Sequence, residues 1–368
     1  MLLRELDYNL PPERIAQQPL DERDASRMLL LDRRTGAWQD RAFRDFPELL
    51  RGDELIVVND ARVIPARLLG RRVGVHSEPR GKSETTNREF LQSEIEVLLV
   101  RRLEASVWEG LVRPGRKVGI GEKIVFGDGA LEAEVEARGE YGIRRLRFRA
   151  QGDFEEILNR LGHVPLPPYI HRADDSSDRE RYQTLFASHP GAIAAPTAGL
   201  HFSRAVLERL RARKMEMVEI TLDVGLGTFE PIRTERLEDH PIHRESYEIS
   251  DATATAIERA HKDGRPILAV GTTAVRALED SAEKSRRMKS GTLAAVVQSG
   301  RAEADIFLYP GKEFRVVSQL LTNFHLPQSS LLALVAAFVS RDNVLRAYTH
   351  AVEAEYRFYS YGDCMLIR

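Results

Sequence analysis

Of the ten histidines four are informative, His201, His240, His243 and His325, and two of them, His201 and His325, stand among small and hydroxyl-bearing neighbours where an imidazole could move protons near neutral pH. His201 closes Gly191-Ala-Ile-Ala-Ala-Pro-Thr-Ala-Gly-Leu-His-Phe202, which also carries Thr197 and Gly199. His325 lies in Thr322-Asn-Phe-His-Leu-Pro-Gln-Ser-Ser330, beside Asn323. Elsewhere the chain offers Asn59, Arg62, Gly225-Leu-Gly227-Thr228, Thr273 and Arg276. Such groups suit a zwitterionic or polyhydroxyl ligand. His240-Pro-Ile-His243, with His201 or His325 as a third ligand, would be the alternative of a metal site, but Pro241 opposes a helix and the spacing is not that of a helical zinc motif. No metal is therefore expected. The chain has no phosphate loop, dinucleotide fingerprint or Gly-x-Ser-x-Gly elbow, which removes the NTPase, Rossmann dehydrogenase and serine hydrolase classes. Glu355-Tyr-Arg-Phe-Tyr-Ser-Tyr-Gly-Asp363 brings Tyr356 and Arg357 within a run of aromatic rings, which serves either as an ordinary strand or as a surface for stacking a nucleobase.

Turns that carry these residues need strands behind them. Short apolar runs at Met28–Leu31, Leu55–Val58 and Ile267–Val270 read as buried strands, and Val316–Leu321 as another. Ser203 is placed to cap a helix over 204–214, and Met215–Leu222 alternates toward a strand. Five polar turns therefore follow predicted strands: Asn59 to Arg62, Gly191 to Phe202, and those at Gly225, Gly271 and Thr322. In an open α/β sheet such turns share one edge, where ligands bind. From 63 to 150 the pattern changes to short alternating runs punctuated by glycine, which predicts a small β-barrel. Residues 62–150 hold 18 Lys and Arg against 13 Asp and Glu, whereas the whole chain carries a formal charge of −2. That local excess suits a polyanion. The segment from His76 to Ser93 is polar and reads as a loop. The expected architecture is a mixed or parallel-sheet α/β domain, discontinuous over 1–62 and 151–368, interrupted by a β-barrel insertion at 63–150.

The single cysteine, Cys364, allows no disulfide framework, and no apolar run is long enough for a signal peptide or a membrane span. A cytoplasmic location is expected, with no membrane partner. A monomer is the favoured state.

Ala195-Pro-Thr-Ala-Gly-Leu-His-Phe202, Val224-Gly-x-Gly-Thr-Phe229, Ala269-Val-Gly-Thr-Thr-x-Val-Arg276, Thr322-Asn-Phe-His-Leu-Pro-x-Ser329 and Tyr356-Arg-Phe-Tyr-Ser-Tyr-Gly-Asp363 closely resemble motifs of the S-adenosylmethionine:tRNA ribosyltransferase-isomerase family of queuosine biosynthesis. So do Asp24-Ala-Ser-Arg27, Asn59-Asp-x-Arg-Val-Ile-Pro-Ala-Arg67 and Gly162-His-Val-Pro-Leu-Pro-Pro-Tyr-Ile170. The resemblance implies an enzyme that moves and isomerises the ribosyl part of S-adenosylmethionine onto 7-aminomethyl-7-deazaguanine at the wobble position of tRNA, giving epoxyqueuosine and releasing adenine and methionine. The anticodon loop is then the macromolecular partner. S-adenosylmethionine is a substrate, and no separate cofactor is expected. Two departures stand out: the family usually has His where this chain has Asp223, and the His76–Ser93 segment is longer than the family usually shows.

For that reaction His201 and His325 are the candidates for proton transfer. Asn59, Arg62, Thr197, Gly199, Gly225, Gly227, Thr228, Thr273, Arg276, Asn323, Tyr356 and Arg357 are the candidates for binding substrate. The alternatives are a tRNA methyltransferase using the same donor, or a tRNA-binding module without chemistry.

Overall fold

The apolar runs become strands covered on both faces. In the strand Leu55–Asn59, Leu55 and Val57 join one core cluster with Ile220 and Val275, while Ile56 and Val58 join another with Phe202, Val206 and Leu210. The strand Cys364–Ile367 divides the same way, Met365 and Ile367 to one side and Cys364 and Leu366 to the other. Each such aliphatic side chain, fully buried, contributes about 1.5–3 kcal/mol. A strand buried twice needs no polar alternation, which is why these runs are continuously apolar.

The computed structural model describes residues 1–73, 94–115, 118–225, 232–288 and 295–368. The expected segment from His76 to Ser93, together with Gly227 and Thr228, lies outside those residues. The chain divides into two compact units: Met1–Arg62 with Pro167–Ala173 and Glu180–Arg368, and Val63–Leu166 with Asp174–Arg179.

The larger unit is built on a nine-stranded sheet. Its centre is four parallel strands in the spatial order Glu216–Leu222, Leu55–Asn59, Ile267–Val270 and Gln319–Asn323. Cys364–Ile367 runs antiparallel beside Gln319–Asn323, and Arg27–Leu31 pairs with it in parallel. Trp38–Ala42 closes that side, while Glu245–Ile249 and Gly300–Ala304 close the other. The helix Arg204–Ala212 starts where Ser203 predicts: its hydroxyl accepts the N–H of Val206 at 3.1 Å. The expected turn at Gly191–Phe202 does not leave a strand of the main sheet. It follows His189–Ala192, which belongs to a separate two-stranded ribbon, and coils into a 3-10 turn over Thr197–His201.

The second unit contains a closed antiparallel barrel of six strands. Along Leu131–Arg138, Leu131, Ala133 and Val135 point inward and alternate with glutamates. This unit runs past Ala150, the expected boundary, for identifiable reasons. Phe154, at the start of the helix Phe154–Leu161, packs on Trp108 at 6.0 Å and Phe148 at 5.5 Å. Further on, the Asp174 carboxylate meets His163 Nδ1 at 3.0 Å and accepts the N–H of Val164 at 2.9 Å. No described helix is long and apolar enough to cross a membrane.

Candidate active site

Parallel pairing puts the carboxyl ends Leu222, Asn59, Val270 and Asn323 on one edge of the sheet, and the antiparallel neighbour brings Asp363 and Cys364 to the same edge. There a cleft opens between Thr197, Thr273, Asn323, His325, Tyr359 and Ser360. Gly271 turns the chain with φ +91°, a conformation that costs glycine nothing, so that Thr272 and Thr273 start the helix Thr272–Met288 at the cleft wall.

His325 lines the cleft while being only 6% exposed. Its Nε2 lies 2.8 Å from the Thr322 hydroxyl. Its backbone is clamped: the N–H donates to Tyr348 Oη at 3.0 Å and the carbonyl accepts the Tyr8 hydroxyl at 2.5 Å. Burial pushes this imidazole down to about 3, so it is neutral at physiological pH.

His201 is placed differently. It is buried behind Asn323, tilted against Phe43 at 5.3 Å, and lines a neighbouring hollow rather than the cleft. The Asn323 Nδ2 faces the carbonyls of Tyr359 at 3.1 Å and Asp363 at 3.4 Å, which can only accept, and this fixes the direction of the amide. The same Nδ2 lies 3.2 Å from His201 Nε2, so that nitrogen also accepts. The ring proton is then on Nδ1, directed at Ser26 Oγ 2.9 Å away. With its lone pair engaged, His201 orients Asn323 instead of reaching a ligand. Among the described residues Asn323 Oδ1 is left as a buried acceptor with no partner, the type of atom that a ligand N–H or O–H satisfies.

Burial, and behind it the charges of Arg357 and Arg23, lower His201 to about 3 as well. Unfolded histidine protonates near 6.5. Between those values the unfolded chain binds protons that the folded chain does not, so stability falls as pH falls, by about 1.4 kcal/mol per pH unit for each histidine. Urea titrations from pH 7 to 4.5 should show a slope in His201→Gln that is shallower than wild type by that amount. Equal slopes would mean that the buried imidazole is protonated in the native state.

Thr197 and Thr273 are brought to the cleft as expected. Other candidates are occupied elsewhere. Asn59 is wholly buried and brackets two strands: Oδ1 accepts the N–H groups of Ala61 and Leu222, and Nδ2 donates to the Leu222 carbonyl at 3.0 Å and to Thr273 Oγ1 at 3.3 Å. It reaches the cleft only through Thr273. Arg62 is exposed on the strand Ala61–Val63 and lines no part of the cleft. Gly199 is a packing position, since a Cβ there would come within 2.7 Å of Phe186 and Thr184. Gly225 donates its N–H to Glu245 at 3.0 Å. Arg276 is ion-paired with buried Glu245 and donates to the carbonyls of His243 and Ala304, so it lines a different, apolar recess. Tyr356 is buried, hydrogen-bonded to Asp40 and covered by Arg27 at 3.8 Å. Arg357 donates to the Gln18 carbonyl.

Of the rings in the run from Tyr356 to Tyr361, the one that lines the cleft is Tyr359, held at φ +72° and lying 3.8 Å from Tyr169, whose hydroxyl meets Ser360 Oγ at 2.5 Å. A tyrosine at positive φ is strained, and such strain gathers at ligand sites. Of the two other histidines, His240 packs edge-on to Phe307 at 5.3 Å and His243 accepts from Arg276 through its carbonyl. Asp223, where the resembling family has His, is raised above the usual carboxylate range by burial and fits beside Gly191, where a Cβ would approach Asp223 Oδ1 to 2.7 Å.

The chain is 52% identical to an S-adenosylmethionine:tRNA ribosyltransferase-isomerase of Solibacter usitatus and 46% identical to one of Carboxydothermus hydrogenoformans, each match covering all of both chains. A crystal structure of S-adenosylmethionine tRNA ribosyltransferase from Thermotoga maritima is similar with a TM-score of 0.52 at 34% identity, covering 99% of this chain and 100% of that one. The model of the family described as queuosine biosynthesis protein matches residues 3–367, and the chain belongs to that family.

Proposed function

We propose that the chain transfers the ribosyl part of S-adenosylmethionine to tRNA, isomerising it on 7-aminomethyl-7-deazaguanine at the wobble position to give epoxyqueuosine, with release of adenine and methionine. The observation that carries this reading is the pairing of a neutral imidazole, His325, with an unsatisfied acceptor, Asn323 Oδ1, in one cleft of a chain similar throughout its length to enzymes of that name. The sulfonium acidifies the adjacent C5′ protons, and His325 is the histidine that lines the cleft where one can be accepted. His325 takes that role. Asn323 Oδ1 accepts a substrate N–H or O–H, with His201 and Ser26 holding its amide in place. The start of the helix Thr272–Met288 presents N–H groups suited to the methionine carboxylate, and Tyr359 with Tyr169 offers aromatic surface to a base.

Incubation with S-adenosylmethionine and tRNA carrying the deazaguanine should release adenine and methionine together, only when the modified tRNA is present. S-adenosylhomocysteine in their place would make the chain a methyltransferase, and neither product would leave a binding module.

A further inference from the structure

Three arginines of the larger unit are held by main-chain carbonyls instead of carboxylates. Arg23 donates to the carbonyls of Glu180 at 2.8 Å, Gln183 at 2.8 Å and Leu200 at 3.3 Å. Arg181 donates to those of Leu20 at 2.5 Å and Asp21 at 2.9 Å, and Arg357 to that of Gln18. A carbonyl fixes a guanidinium in space without cancelling its charge. Among the described residues none of the three forms an ion pair; burial first, and then the neighbouring charge of Arg181, holds Arg23 below its ordinary value. Arg23 and Arg181 line a hollow with Ser26, His201 and Ser360. Glu22 also borders it, but that carboxylate is 3.3 Å from Arg44. Glu180 and Asp363 are the other nearby acids. Ser360 lines both this hollow and the cleft, so the two adjoin.

The barrel, where the sequence concentrates basic residues, treats them otherwise. Arg67 is 2.9 Å from Glu96, Arg72 is 3.4 Å from Glu122, Arg145 is 3.1 Å from both Glu104 and Glu136, and Arg147 is paired with Glu136. Much of that charge is answered locally, with Arg144 an exception that donates to carbonyls.

Resting on the tRNA reading above, we propose that the Arg23–Arg181 hollow seats a backbone phosphate of the RNA beside the nucleotide held in the cleft. Guanidinium groups already oriented, and not neutralised, keep N–H donors beyond those the carbonyls take, and these can meet phosphate oxygens at little further ordering cost. The shared Ser360 wall fixes that phosphate next to the reacting base.

Fluorescence anisotropy of an anticodon stem–loop, titrated with full-length protein at several salt concentrations, tests this. Arg181→Gln and Arg23→Gln should each flatten log K against log salt by about 0.7–0.9. Arg181→Lys should keep the wild-type slope, and Arg147→Gln in the barrel should not alter it. KM for S-adenosylmethionine should hold while KM for tRNA rises. If the glutamine variants unfold, a neutral methylphosphonate placed on either side of the wobble nucleotide supplies the same test: one position should flatten the slope with wild-type protein and have no added effect with Arg181→Lys beyond that. A folded Arg181→Gln with an unchanged slope, or a Lys variant that fails to restore it, overturns the proposal. Salt-dependent RNA binding without adenine release would overturn the functional reading and leave the hollow standing. No RNA binding by the wild type would overturn both.

Discussion

Replacing His325 with glutamine should lower kcat by about 10²–10⁴-fold while leaving KM for S-adenosylmethionine within a few-fold of wild type. Glutamine has nearly the reach of histidine and can still meet the Thr322 hydroxyl, which lies 2.8 Å from His325 Nε2. It cannot take a proton. The backbone clamps from Tyr8 and Tyr348 act on the main chain of position 325 and survive the change. Single-turnover adenine release with saturating modified tRNA is the measurement, because it isolates the chemical step from product departure. His201→Gln should behave differently, raising KM and slowing turnover modestly, since it only loosens the Asn323 amide. Near-normal single-turnover release by His325→Gln would take this imidazole out of the mechanism.

The second large effect is on folding. Arg276→Met should destabilise the protein by about 3–5 kcal/mol, because Glu245 would be left as a buried carboxylate without its cation. Both groups are nearly enclosed, with Arg276 8% and Glu245 4% exposed. Adding Glu245→Leu to Arg276→Met should recover most of the loss, as two apolar side chains replace two charges. Urea unfolding of the single and double variants decides the matter. A substrate-carboxylate role for Arg276 predicts the reverse pattern, with unchanged stability and a raised KM for S-adenosylmethionine.

These two residues mark where the sequence could be read and where it could not. Doubly covered strands announce themselves as unbroken apolar runs, and Ser203 caps its helix as its spacing predicts, so the sheet and the edge where its strand-end turns gather were legible. The rank of each polar residue along that edge was not. His201 and His325 both stand in turns rich in small residues, yet one faces the cleft and the other backs Asn323, a difference set by the partner each ring meets across the fold. Arg276 looked like a ligand for a carboxylate because Glu245, its actual carboxylate, comes from a strand on the far side of the sheet order. In the aromatic run at the C-terminal side, Tyr356 and Tyr359 are equivalent by composition. The positive φ at Tyr359 and the bond from Tyr356 to Asp40 separate them, and neither can be inferred from spacing.

The strand Cys364–Ile367 lies between Gln319–Asn323 and Arg27–Leu31, and Arg27 donates its N–H to Asp363 across 336 positions at 2.8 Å. During synthesis the hairpin formed by Arg27–Leu31 and Trp38–Ala42 therefore has no place in the sheet until residues 364–367 have left the ribosome. Asp363 also supplies one carbonyl that aligns Asn323, so the cleft is finished by the same late event. A chain interrupted before that strand would be a nascent protein with an unclosed sheet and an unaligned amide, inactive as well as exposed to proteolysis.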